Sequence, residues 1–202
     1  MHRHAPIVAA ALMLAWVGQV CDAQVATRDP HDAEAGRYTA DPDHTQVVFT
    51  VMHFGFSTYY GLFGGATGTL RFDARDPAKM ALDISVPVGS VVTTSARLTA
   101  MLKGPNWLDA DHYPAMVFHS LSVAPTGANT ADVSGTLTMH GVTRPLVLHT
   151  TFNGAGTNPL THKETVGFQI AGELSRSAFG VSRFEPWVGD TIRLAVAAAF
   201  ER

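Results

Sequence analysis

Ten histidines, a pair of aspartates beside one of them, and an arginine ahead of a Phe-Gly step are the residues of this chain best suited by type to do chemistry. Two histidines fall within the first four residues; the others are scattered at 31, 44, 53, 112, 119, 140, 149 and 162. None belongs to an H-x-H, H-E-x-x-H or C-x-x-C unit that would set ligands on one face of a strand or helix, so no metal site is expected. Nucleophilic catalysis finds no G-x-S-x-G elbow and no thiol beyond Cys21. Asp109 and Asp111 flank His112, but such neighbours in a loop solvate a turn more often than they form a catalytic relay. The glycine-rich GLFGGATG lacks the lysine of a phosphate cradle. On these grounds no catalytic residue, metal ligand or cofactor site is assigned.

Two residues stand apart. His53 shares a strand face with Val47, Phe49 and Val51 just before an aromatic bend; a histidine buried there needs a hydrogen-bond partner, so an internal structural role stands beside a ligand contact. Arg176, in GELSRSAFG, follows a strand ending at Leu174. It reads either as a surface arginine paired with a carboxylate, which contributes little, or as a rim cation for an anionic or polar head group.

The elements that must position these residues are strands. From Arg37 onward, alternating, β-branched and aromatic runs are separated by Gly, Pro, Asn and Asp clusters, the pattern of an antiparallel all-β protein. Strands are expected near 37–41, 44–54, 63–73, 80–88, 115–125, 131–140, 142–153, 164–174 and 190–201. The clearest hairpin alternates Val133, Leu137 and Met139 with Ser134, Thr136 and Thr138, turns at His140 and Gly141, and resumes with Leu146, Leu148 and Phe152. One segment is helical: Leu98, Met101 and Leu102 repeat after the capping residues Thr94 and Ser95 and before Gly104 and Pro105. About eight strands with one or two short helices suit a closed barrel, because closure removes exposed edges.

Composition narrows the partner. Charged residues are 15% of the chain, against roughly 25% in average soluble proteins. The net charge of -3 argues against nucleic acid. Of the 11 Phe, 4 Tyr and 3 Trp, six crowd into residues 44–64: Phe49, Phe54, Phe56, Tyr59, Tyr60 and Phe63. With Gly55, Gly61, Gly64 and Gly65 letting the backbone turn, this stretch reads as a core corner or as the mouth of an apolar cavity.

Residues 1–23 carry Arg3, an apolar stretch from Ile7 to Val17 and small residues around Cys21 and Ala23, the signature of a cleaved secretory signal peptide and hence of a periplasmic protein. Val20 ahead of Cys21 argues against a lipid-modified cysteine. Cleavage after Ala23 leaves no cysteine, so stability must come from sheet and core rather than disulfides. Residues 24–36 are polar and aperiodic and are expected to be a flexible linker before a single domain at 37–202.

Four segments in order, HTQVVFTVMHFGFSTYYGLF, WLDADHYPAMVFHS, GTLTMHGVTRPLVL, and GFQIAGELSRSAFGV with VGDTIRLAVAAAFE, resemble the YceI-like family of bacterial exported proteins. The hairpin from Gly141 to Pro145 and the Tyr113-Pro114 step are the most specific elements. The resemblance implies a lipocalin-like antiparallel β-barrel whose lumen holds a polyisoprenoid, such as a polyprenyl phosphate or an isoprenoid quinone, with no chemical change. This chain departs from the common pattern at Thr99 and Met101, where an acidic residue and a histidine often precede the leucine matching Leu102. It departs again at Ala178, where Asp commonly precedes Phe-Gly. Chain binding therefore carries over more directly than head-group recognition.

Strand alternation selects the lumen-facing candidates Val47, Phe49, Val51, His53, Phe63, Phe118, Leu137, Leu148 and Phe168, with Arg176 at the rim. The expected function is a periplasmic carrier of a long-chain isoprenoid or fatty ligand. Candidate partners are a membrane quinone-handling cytochrome, docked through exposed aromatics at 54–63, and a second copy of the chain. The competing enzyme reading has His53 or Arg176 polarising a carbonyl of a bound isoprenoid or quinone.

Overall fold

The computed structural model describes residues 26–202; the expected signal peptide lies outside them, and the described residues form ten strands and one short α-helix. The strands are β1 (Gly36–Ala40), β2 (Gln46–His53), β3 (Ser57–Phe63), β4 (Thr67–Phe72), β5 (Ala81–Pro87), β6 (Ala115–Pro125), β7 (Thr130–Met139), β8 (Val142–Thr157), β9 (Glu164–Ser175) and β10 (Thr191–Glu201). Helix α1 (Ala96–Lys103) lies between β5 and β6, and Ser95 caps it by accepting the Leu98 amide at 3.3 Å.

The sheet runs β1-β4-β5-β6-β7-β8-β9-β10-β2-β3, and a further pairing of β1 with β10 closes it. Eight antiparallel strands make the ring, and the β2–β3 hairpin extends from it. Closure depends on the free edge of β10 being shared. β2 pairs with Arg193–Ala197, while β1 pairs with Phe200 and Glu201. At the gap between them the buried Thr45 hydroxyl donates to the Ala199 carbonyl and accepts its amide, each at 3.2 Å. No backbone group of Ala199 is left dry.

Alternation fixes which side chains enter the barrel. Val133, Leu137 and Met139 of β7 and Leu146, Leu148 and Phe152 of β8 are buried, and the hairpin turns through His140 and Gly141, with φ of 51° and 74°. Two consecutive positive φ values make a turn whose twist matches the flanking strands. Gly141 also lies under the Tyr113 ring, which a Cβ would approach within 2.7 Å.

Two expectations are corrected. Residues 57–63, read as a bend, form β3, with Val51↔Tyr59, Phe49↔Gly61 and Val47↔Phe63 in register against β2. The turn is confined to Phe54 and Gly55, whose φ values are 53° and 72°. The described part of the expected linker is docked: Thr27 exchanges backbone hydrogen bonds of 2.8 and 2.9 Å with Ala155, and Gly154 lets that arm approach. Among the described residues no helix is long and apolar enough to cross a membrane.

Candidate functional site

Inward-facing residues enclose an apolar cavity of about 200 Å³ in one half of the barrel. Val47, Phe49 and Val51 of β2, Phe63 of β3, Phe118 of β6, Leu137 of β7 and Leu148 of β8 all line it. The Phe49 and Phe63 rings meet with centroids 5.4 Å apart. Leu102 of α1, with Trp107 and Leu108 just after it, contributes to the same lining. A helix that buries Leu102 thus sits over one end of the lumen.

Arg176 lines this cavity and is only 4% exposed, so it is not a surface arginine. Its guanidinium donates to four backbone carbonyls: Nε to Gly189 at 2.8 Å, Nη1 to Val181 at 2.6 Å and to Arg183 at 3.1 Å, and Nη2 to Val188 at 2.7 Å. A guanidinium has five N–H groups. One on Nη2 is therefore left over from these four bonds. Among the described residues no carboxylate forms an ion pair with Arg176. Burial pushes its pKa below the usual arginine range, and the more distant Glu185 and Asp190 work against that shift. Arginine nevertheless keeps its charge in proteins. The result is a buried cation, held by carbonyl dipoles, at one end of an apolar lumen.

Asp190 secures the segment that carries this cation. Its carboxylate accepts the Ser177 amide at 2.8 Å, while its backbone carbonyl accepts the Arg176 amide at 3.0 Å. Burial raises its pKa, but hydrogen bonds from Ser175 and Ser177 and the field of Arg176 outweigh that effect and hold it below the ordinary value.

Two expected site residues lie elsewhere. His53 is exposed and does not line the cavity, although it follows the alternation of Val47, Phe49 and Val51. It stands at the last position of β2, past the edge of the barrel, with its ring 4.4 Å from that of Phe54 and bridged by backbone to Val188. It is therefore not a buried structural histidine. Phe168 lines a second cavity, of about 220 Å³, in the other half of the barrel.

The aromatic stretch divides by strand parity. Phe49 and Phe63 face the lumen, whereas Phe56 is 90% and Tyr60 61% exposed. Phe54 and Trp187 are also exposed, and the Phe54 amide donates to the Trp187 carbonyl at 2.8 Å. Hairpin tip and 184–188 loop thus form one apolar rim.

Other histidines are explained by neighbouring acids. His112 pairs with Asp109 at 2.9 Å, His149 with Asp132 at 2.7 Å, and His119 with Asp83. Among the described residues no group of three His, Cys, Asp or Glu converges as metal ligands. Sequence reasoning missed lining residues such as Ile84, Met139, Leu194 and Val196, although alternation along 80–88, 131–140 and 190–201 marks their faces.

Comparison with known proteins gives a consistent picture. A family described as YceI-like domain matches residues 38–200. A UPF0312 protein from Pseudomonas savastanoi pv. phaseolicola is 36% identical over 151 residues, covering 74% of this chain and 78% of the relative. The crystal structure of BcnA from Burkholderia cenocepacia superposes with a TM-score of 0.71 at 22% identity, covering 79% of this chain and 98% of that one. A polyisoprenoid binding domain from Saccharophagus degradans superposes with a TM-score of 0.64 at 13% identity, covering 81% and 97%. Both structures share this barrel.

Proposed function

The chain belongs to the YceI-like family, and from that premise we propose that it binds a long-chain isoprenoid, such as a polyprenyl phosphate or an isoprenoid quinone, inside the barrel and releases it unchanged. The observation that carries this reading is a lumen lined almost wholly by aliphatic and aromatic side chains with a single buried guanidinium at one end. Each methylene-sized group moved from water into such a lining contributes about 0.8 kcal/mol in transfer terms, so the chain supplies affinity. Arg176 supplies direction, since the field of a buried cation beside the lumen favours an anionic or polar head group at that end. The polyisoprenoid binding of a domain with the same fold supports the choice of ligand.

Export supports the same reading. The apolar stretch from Ile7 to Val17 and the small residues before Gln24 support export of the mature domain to the periplasm. There a water-insoluble lipid needs a carrier between membranes. The test is organic extraction of the purified, folded protein followed by mass spectrometry. Recovery of an isoprenoid in near-stoichiometric amount is expected; repeated recovery of no lipid would overturn the proposal.

The exposed rim favours a second property of the same carrier. Phe54, Phe56 and Trp187 present rings to solvent where the tip of the β2–β3 hairpin meets the 184–188 loop, and Tyr60 presents another further along β3. Such contiguous apolar surface marks an interaction site, and aromatic rims suit a bilayer interface. The rim docks the barrel at a membrane, where its ligand and any quinone-handling cytochrome reside. Phe56→Ser with Trp187→Ser should slow ligand transfer to vesicles without changing ligand affinity. Transfer at the wild-type rate would sink this reading.

A further inference from the structure

We propose that the far half of the barrel is a chain-length filter: a second apolar compartment that receives the tail of the ligand and ends it at a polar floor. This inference rests on isoprenoid binding in the near half. The two cavities share Leu82, Ile170 and Phe200. Each long strand passes from one to the other, β8 from Leu148 to Phe152 and β9 from Leu174 through Ile170 to Phe168. They are therefore consecutive segments along the barrel rather than separate pockets.

Size argues for joint use. Ligand sites usually span about 300–1,000 Å³. The near compartment, at about 200 Å³, and the far one, at about 220 Å³, each fall short, but together they enter that range. A cluster of rings lines the far compartment, and of these Phe200 also lines the near one. Phe168 and Phe200 meet edge to face at 6.0 Å, Phe152 and Phe168 at 5.6 Å, and Phe72 stacks on Phe152 at 6.0 Å. Such faces pack well against the flat, unsaturated units of an isoprenoid chain.

The far end then changes chemistry. Pro30 and His31 of the docked N-terminal arm, Asn129 of the β6–β7 turn and Thr130 at the start of β7 line it. Asn129 is fixed there, its carbonyl accepting the Phe152 amide at 2.8 Å. An apolar chain with its head at the Arg176 end of the near compartment gains transfer free energy with each unit until it reaches this floor. Beyond it, further units must bend back or stay in water, and affinity stops rising.

The filter can be tested with isoprenoid quinones of stepped side-chain length, titrated against the folded protein by native mass spectrometry. Affinity of the wild type should climb with length and then level off. Ala131 lines the far compartment on the same face of β7 as Val133. Ala131→Leu should shift the plateau to shorter chains, weakening the long ones about tenfold or more while leaving short ones unchanged. Phe168→Leu, which widens the compartment, should keep or extend the plateau. Length dependence identical in all three proteins would overturn the filter while leaving lumen binding intact. Failure of the folded wild type to bind any length would overturn lumen binding itself, and the filter with it.

Discussion

The ring of Phe49 occupies the space that a side chain at Gly61, directly opposite across the β2–β3 hairpin, would need. Gly61 is therefore not a turn glycine. It is the floor on which a cavity-lining ring rests, and the same packing places Phe49 against Phe63. Gly61→Ala should drive Phe49 off its rotamer into the lumen and cost about 1–3 kcal/mol, the usual penalty of overpacking. Urea denaturation measures the loss, and ligand titration should show weaker binding; unchanged stability and affinity would show that the ring has another place to go.

Arg176 joins two tasks that substitution can separate. Its four carbonyl bonds hold the 181–189 segment beside the lumen, while its charge stays buried next to the cavity that its stem helps to line. Lysine keeps the charge but not the planar fork, so Arg176→Lys should leave buried carbonyls unpaired at a cost of at least about 2 kcal/mol. Arg176→Leu should cost more, since it leaves every one of those carbonyls without its donor. A thermal shift ordering wild type above lysine above leucine is expected; equal melting temperatures would contradict the clamp.

Most of the barrel was legible because its strands bury one face only. Period-two alternation located β6 to β10 and the hairpin at His140 and Gly141, and Ser95 with Gly104 marked the ends of α1. It failed where composition misled. Tyr59, Gly61 and Phe63 alternate correctly with Thr58, Tyr60 and Leu62, but their glycines and rings read as a corner. His53 illustrates a different limit. Its parity matches Phe49, yet parity does not tell where a strand runs out of barrel, and the ring ends in solvent. Arg176 was placed near the site by sequence, but its burial depends on carbonyls up to thirteen residues away that only the folded loop gathers. The far compartment was invisible for a similar reason, since Phe72, Phe152, Phe168 and Phe200 come from four separate strands.

Asp190 makes acid stability depend on the site. Its folded-state pKa lies below the ordinary carboxylate value, so its contribution is fully present above about pH 4 and is lost as the pH falls through the lower folded value. Asp190→Asn removes that titration. The variant should be less stable than wild type at neutral pH, and the gap should close as the pH is lowered past about 4. Chemical denaturation across that range checks it; a gap that stays constant with pH would mean that the charge of Asp190 does not contribute.

Ala178 stands next to a cation without offering it a charge. Arg144 is exposed and donates from Nε to the Ala178 carbonyl at 3.2 Å. Ala178 is itself exposed, beside the 3-10 turn Ser177–Phe179. Ala178→Asp would set a carboxylate beside the guanidinium without burying either group. The expected gain is that of a surface ion pair, about 0.2–1 kcal/mol, diminishing at high salt. Because Arg176 is buried beside the lumen two residues earlier, the added negative charge should also weaken an anionic head group more than a neutral one. Comparing a polyprenyl phosphate with an isoprenoid quinone in wild type and variant separates the two effects. A stability gain with equal changes in affinity for both ligands would show that position 178 braces the hairpin and does not reach the cavity.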